Sequence, residues 1–84
     1  MPSKYSQKTI YRRDYQKLIE FLKFNREQKN LSQGELGMLI GQDQTFISKC
    51  EKGVRKLDLM ETLDICEVLE ISPEDLINFL KSSI

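Results

Sequence analysis

Leu31-Ser32-Gln33-Gly34-Glu35-Leu36-Gly37-Met38-Leu39-Ile40-Gly41-Gln42-Asp43-Gln44-Thr45-Phe46-Ile47-Ser48-Lys49-Cys50-Glu51-Lys52-Gly53, residues 31–53, is the stretch whose reading decides the fold. Ser32 and Glu35 have the S-x-x-E spacing of a capping box, which starts a helix at Gln33. Leu36, Leu39 and Ile40 follow at i, i+3, i+4 and give that helix one apolar stripe. Gly41 stands directly after the last apolar position, where a helix commonly stops on a residue with positive φ. Asp43 is then the N-cap of a second short helix, with Ile47 and Cys50 on its inner face and Gly53 closing it. Gln44, Thr45, Ser48 and Lys49 fall on the opposite face. Two helices joined by a tight glycine-containing turn are the helix-turn-helix outline. Amide, hydroxyl and ammonium groups on the second helix are the groups that read base edges in a major groove.

The 84 residues are expected to form one small domain, whose modest core needs short loops, good caps or dimerisation. Charged residues make up 31% and hydrophobic ones 39%, a globular composition. No apolar run approaches the roughly 18 residues of a membrane span, and the N-terminus lacks the apolar core of a secretory signal. A cytoplasmic location is the expectation. Histidine is absent, and Cys50 and Cys66 lie sixteen apart on apolar helical faces. They read as reduced core residues, with no metal or cofactor site implied and no nucleophile–base pair for an enzyme. The zero net charge hides a polarity. Residues 1–56 carry twelve Lys or Arg against six acids, +6, whereas residues 57–84 carry one Lys against seven acids, −6. One basic end suits a molecule that turns a single face to a polyanion.

Residues 1–13, with Lys4, Lys8, Arg12 and Arg13 and no acid, read as a basic N-terminal arm or a tail preceding a domain at 14–84. Tyr5 and Tyr11 are interleaved with these charges. A first helix is expected over 14–29, on the stripe Tyr15, Leu18, Ile19, Leu22 continued by Arg26, with Asn30 as its left-handed stop. Phe21 falls at the edge of that stripe and Phe24 outside it. Arg26 ends an apolar stripe, where an unpaired charge is costly, so a partner is required; Glu51 is the choice. Asp58 and Glu61 repeat the capping spacing ahead of a helix over 59–69, buried through Leu59, Leu63, Ile65, Cys66 and Leu69. Ser72-Pro73-Glu74-Asp75 opens a fifth helix with a hydroxyl cap, proline first and acids in the first turn. Leu76, Ile77, Phe79 and Leu80, with Leu57 and Ile84, either close the core or leave an apolar association surface. The expected fold is all-α, a five-helix bundle containing a helix-turn-helix.

The sequence resembles the XRE family, the Cro/CI-type, lambda-repressor-like helix-turn-helix domains of phage and bacterial regulators. The resemblance covers roughly residues 18–76. It rests on Leu31-Ser32-Gln33-x-Glu35-Leu36, Ile40-Gly41, Gln44-x-x-Ile47-Ser48-Lys49-x-Glu51-x-Gly53, Leu63-x-Ile65 and Ile71-Ser72-Pro73-x-x-Leu76. It implies five helices, the third lying in the major groove. By that resemblance Gln33 contacts a phosphate and braces Gln44, while Gln44, Thr45 and Lys49 face base edges. Ser48 contacts a base or the backbone, and Arg55 and Lys56, in the loop after the third helix, sit on the sugar–phosphate backbone. Arg26 and Glu51 match the family's buried salt bridge. The sequence departs from the family pattern at Asn25, Gln42, Leu57 and Phe46, and Gly34 inside a helix costs about 1 kcal/mol relative to Ala. Phe46 replaces a small polar residue beside the backbone, and would pack on a deoxyribose, on a thymine methyl or on the fourth helix.

The implied function is that of a sequence-specific double-stranded DNA-binding transcriptional regulator. A small prophage- or plasmid-type repressor, acting as a dimer on a palindromic operator, fits the size, with the fifth-helix end as the dimer surface. The alternative is an antitoxin-like module that neutralises a partner protein and binds DNA for autoregulation.

Overall fold

Four helices of this chain stop in the same way. In the structure, a computed structural model that describes Tyr5 and residues 7–82, α1 spans Arg13–Gln28, α2 Gln33–Leu39, α3 Gln44–Glu51, α4 Leu59–Val68 and α5 Pro73–Ser82. Asn30, Gly41, Gly53 and Glu70 adopt positive φ just past the ends of α1 to α4. The next residue's N–H then donates back to the final turn. Leu31 donates to Arg26, Gln42 to Gly37, Val54 to Lys49 and Ile71 to Cys66, at 3.2, 2.7, 2.9 and 2.8 Å. Each stop satisfies orphan carbonyls and reverses the chain within a few residues. Short connections of this kind let an 84-residue chain close a core.

The starts are as local as the stops. Ser32–Glu35 and Asp58–Glu61 form complete capping boxes at α2 and α4. The Asp43 carboxylate accepts from the Phe46 N–H, and the Ser72 hydroxyl accepts from the Asp75 N–H. No strand occurs among the described residues. Ahead of α1, Thr9–Tyr11 makes one 3-10 turn, with Ile10 packed on the core and Arg12 paired with Asp14. Lys4 of the expected basic arm and Ile84 of the expected apolar end lie outside the described residues.

The core gathers Tyr15, Ile19 and Leu22 of α1 and Leu36 of α2 with Ile47 and Cys50 of α3. Phe46, Leu57, Ile71, Ile65, Cys66 and Leu69 with Leu76 of α5 complete it. Tyr15 keeps its phenol satisfied by accepting from the Leu57 N–H at 2.9 Å, and burial pushes that phenol's pKa up. Both cysteines are free and buried, and burial likewise raises their thiols, which disfavours the nucleophilic thiolate. Phe21 and Phe79 stack with ring centroids 4.2 Å apart and join α1 to α5, while Phe24 is exposed.

Two sequence expectations are corrected here, and one left open is decided. Leu39 is 59% exposed rather than part of a buried stripe, because Leu36, Gly37 and Ile40 occupy the core-facing side of the last turn and Leu39 stands off it. Leu59, the first residue of α4, is 68% exposed, and Thr62 takes a buried place on that helix. Leu57 is buried beneath Tyr15 and does not extend an apolar surface.

Candidate nucleic-acid interface

The angle between α2 and α3 is set by backbone packed on backbone. A Cβ placed on Gly37 would lie 2.6 Å from the Asp43 carbonyl oxygen and 2.8 Å from its carbon. Only glycine lets the turn return that closely over α2. Gly34, three residues earlier, has no such constraint: the nearest atoms to its virtual Cβ, including Cβ of Gln44, are 3.9 Å away.

The inner side of this pair of helices is held by charge. Arg26 on α1 donates through Nε and Nη2 to the two Glu51 carboxylate oxygens at 2.7 and 3.1 Å. Its Nη1 donates to the Leu31 carbonyl at 2.6 Å, just before α2. Both side chains are nearly closed to solvent, at 9% and 11% exposure. Gln33 adds Nε2–H to the same Glu51 carboxylate at 2.9 Å. One carboxylate at the end of α3 is thereby fixed to α1 and to the first residue of α2. The expected Arg26–Glu51 partnership is present in the structure, and Gln33 braces Glu51 where the resemblance implied that it braces Gln44.

The outer side is different. Gln44, Thr45 and Lys49 are exposed and Ser48 is half-buried, and successive positions 44, 45, 48 and 49 share one face of α3. None of these side chains makes a hydrogen bond or ion pair to another described residue. Lys52 and Lys56 are exposed in and beside the loop that follows, also without an ion pair among the described residues.

Phe46 is corrected. Its ring is 8% exposed, part of the core, and the Arg55 guanidinium covers it with its carbon 4.6 Å from the ring centroid. An inward ring on the first turn of α3 cannot lie on a deoxyribose. Arg55 is also engaged: its Nη1 and Nη2 each donate to Glu61 at 2.9 Å. Those bonds draw the Glu61 carboxyl below the usual glutamate range, with the Asp58 N–H helping, and raise the Arg55 pKa. Sequence reasoning did not single out Gly37 or Glu61. A mid-helix glycine was the signal for the first, while Glu61's evident capping role hid its second task.

The basic half is less free than its letters suggest. Arg12, Arg26 and Arg55 are in ion pairs, and Lys29 pairs with Glu70 of the acidic half at 2.8 Å. Arginine here mostly braces the fold, and lysine is left on the surface.

A locked pair of short helices, the second with a polar face that has no partner among the described residues, is the form of a helix-turn-helix DNA-binding domain. The family described as "Helix-turn-helix domain" matches residues 19–79, most of the chain, and the chain belongs to that family, of the XRE type. Neither among curated proteins nor among solved structures does anything match it. Families of this class are typically non-enzymatic. No helix among the described residues is long and apolar enough to cross a membrane.

Proposed function

We propose that the chain is a sequence-specific regulator that binds double-stranded DNA in the cytoplasm as a homodimer on a palindromic operator, in the manner of a small prophage- or plasmid-type repressor. The observation that carries this reading is the contrast on α3: Glu51 at its end is held by Arg26 and Gln33, while Gln44, Thr45, Ser48 and Lys49 have no partner among the described residues. Gln44 is suited to a bidentate pair with adenine, and Lys49 to guanine O6 or N7. Thr45 and Ser48 offer hydroxyls to a base edge or to the backbone. Gln33 and Lys56 serve phosphates on either side of α3, and such contacts position the protein without specifying sequence.

Selection of bound sequences from a random duplex pool tests the proposal. The expected product is one enriched motif repeated with two-fold symmetry, half-sites about one helical turn apart. A pool that stays random through successive rounds overturns it. A second reading, the antitoxin-like module, has an observation of its own: Val54, Leu59 and Met60 are exposed around the start of α4. Of the apolar residues expected to give α5 an association surface, Ile77 is the one left exposed among those described. A stoichiometric protein partner retained through purification from the native host would favour that second reading.

A further inference from the structure

The loop between α3 and α4 is held by one side chain at three points. The Arg55 guanidinium lies on the Phe46 ring in the first turn of α3. It forks onto the Glu61 carboxylate in the first turn of α4, and its Nη1 also donates to the Lys56 carbonyl at 2.8 Å. Glu61 Oε1 accepts in addition from the Asp58 N–H at 3.0 Å. The backbone adds two bonds, the Val54 and Arg55 N–H groups both donating to the Lys49 carbonyl at 2.9 and 3.2 Å. The segment carrying Lys52 and Lys56 is thus fixed against both helices, and against the residue that bears the proposed guanine-reading ammonium.

We infer that Arg55 is a positioning residue for DNA binding, which through Glu61 and Phe46 holds Lys52 and Lys56 at the flank of α3, and is not itself a phosphate contact. Three of its five N–H donors, both on Nη1 and one on Nη2, go to acceptors within the chain, one face of its plane is on a ring, and the carboxylate beside it repels phosphate. A loop ordered before binding loses less conformational freedom on the DNA, so the clamp contributes to affinity without touching it. The inference rests on the DNA-binding reading above.

The two roles of Arg55 give opposite signs in one variant. Glu61→Gln removes a negative charge near a polyanion and frees Arg55, so a phosphate-contacting Arg55 would bind the selected duplex more tightly. A positioning Arg55 loses its anchor, and binding weakens by roughly tenfold, the cost of leaving a few side chains and a loop to be ordered on the DNA. Glutamine preserves the capping box at this position, so α4 is retained, and a thermal melt verifies it. Arg55→Lys keeps the charge and gives up the fork and the stacking. It is expected to weaken binding to a similar degree with the salt slope unchanged. Tighter binding by Glu61→Gln, or wild-type binding by Arg55→Lys, overturns the inference. Wild-type protein that binds no duplex at all overturns the DNA-binding reading instead, so the two failures are told apart.

Discussion

The two sides of α3 differ in how their polar groups are used. Toward the bundle, Glu51 accepts from three donors on Arg26 and Gln33, and Gly37 allows the turn backbone to press on α2. Away from the bundle, Gln44, Thr45 and Lys49 are exposed with no partner among the described residues. The difference shows how a domain with a small core presents a flexible-looking set of side chains with accuracy. The inner side spends its charge on rigidity, so the outer side does not need any for itself.

Breaking the inner side comes first in size. Arg26→Ala leaves the nearly buried Glu51 carboxylate short of its main partner, and an unfolding titration is expected to show a loss of about 3–5 kcal/mol. Wild-type stability would mean that the pair is incidental. Gly37→Ala forces a methyl into the Asp43 backbone and is expected to cost about 1–3 kcal/mol of stability.

The outer side is expected to behave in reverse. Lys49→Ala leaves the melt within about 0.5 kcal/mol of wild type. It weakens binding to the selected operator by about 1–3 kcal/mol, with a much smaller loss on random duplex. Equal losses on both sequences in a gel-shift titration would make Lys49 a phosphate contact only.

Gly34 sharpens the contrast with Gly37. Its virtual Cβ meets nothing closer than 3.9 Å, so Gly34→Ala is expected to stabilise the protein by about 1 kcal/mol through helix propensity. The smallest effect is the response to acid. The Glu35 carboxylate accepts from the Ser32 N–H in its capping box, Glu61 accepts from Arg55 and Glu70 from Lys29, and each is held below the ordinary glutamate pKa. A carboxyl lowered in the folded state stabilises it fully above its unfolded value, about 4.3, and that stability is lost as pH falls through the folded value. Melting temperatures are therefore expected to hold from neutrality to about pH 5 and to fall below about pH 4. Glu61→Gln is expected to make that fall shallower, and an unchanged acid slope would remove Glu61 from the account.

Much of this was legible from short-range pattern. Both capping boxes, the Asp43 and Ser72 caps, and the stops at Asn30, Gly41 and Gly53 depend on groups within a few residues of one another, and the structure has them all. Glu70, the fourth stop, was missed because a glutamate seldom takes positive φ. Arg26–Glu51 was legible for another reason: a charge ending an apolar stripe demands a partner wherever the chain brings one. The family pattern places Arg55 on the DNA backbone and leaves Phe46 between the DNA and the fourth helix, because each position is judged without sight of the other. In space the ring turns in and the guanidinium closes over it.

The sequence by itself determined where the helices begin and end, and which face of α3 is polar, since those follow from local hydrogen bonding and a 3.6-residue period. Tertiary structure alone decided which basic residues remain available to a polyanion. Whether a cation is free depends on the carboxylates and rings that distant segments bring within about 3 to 5 Å, as Glu61 and Phe46 are brought to Arg55 and Glu70 to Lys29.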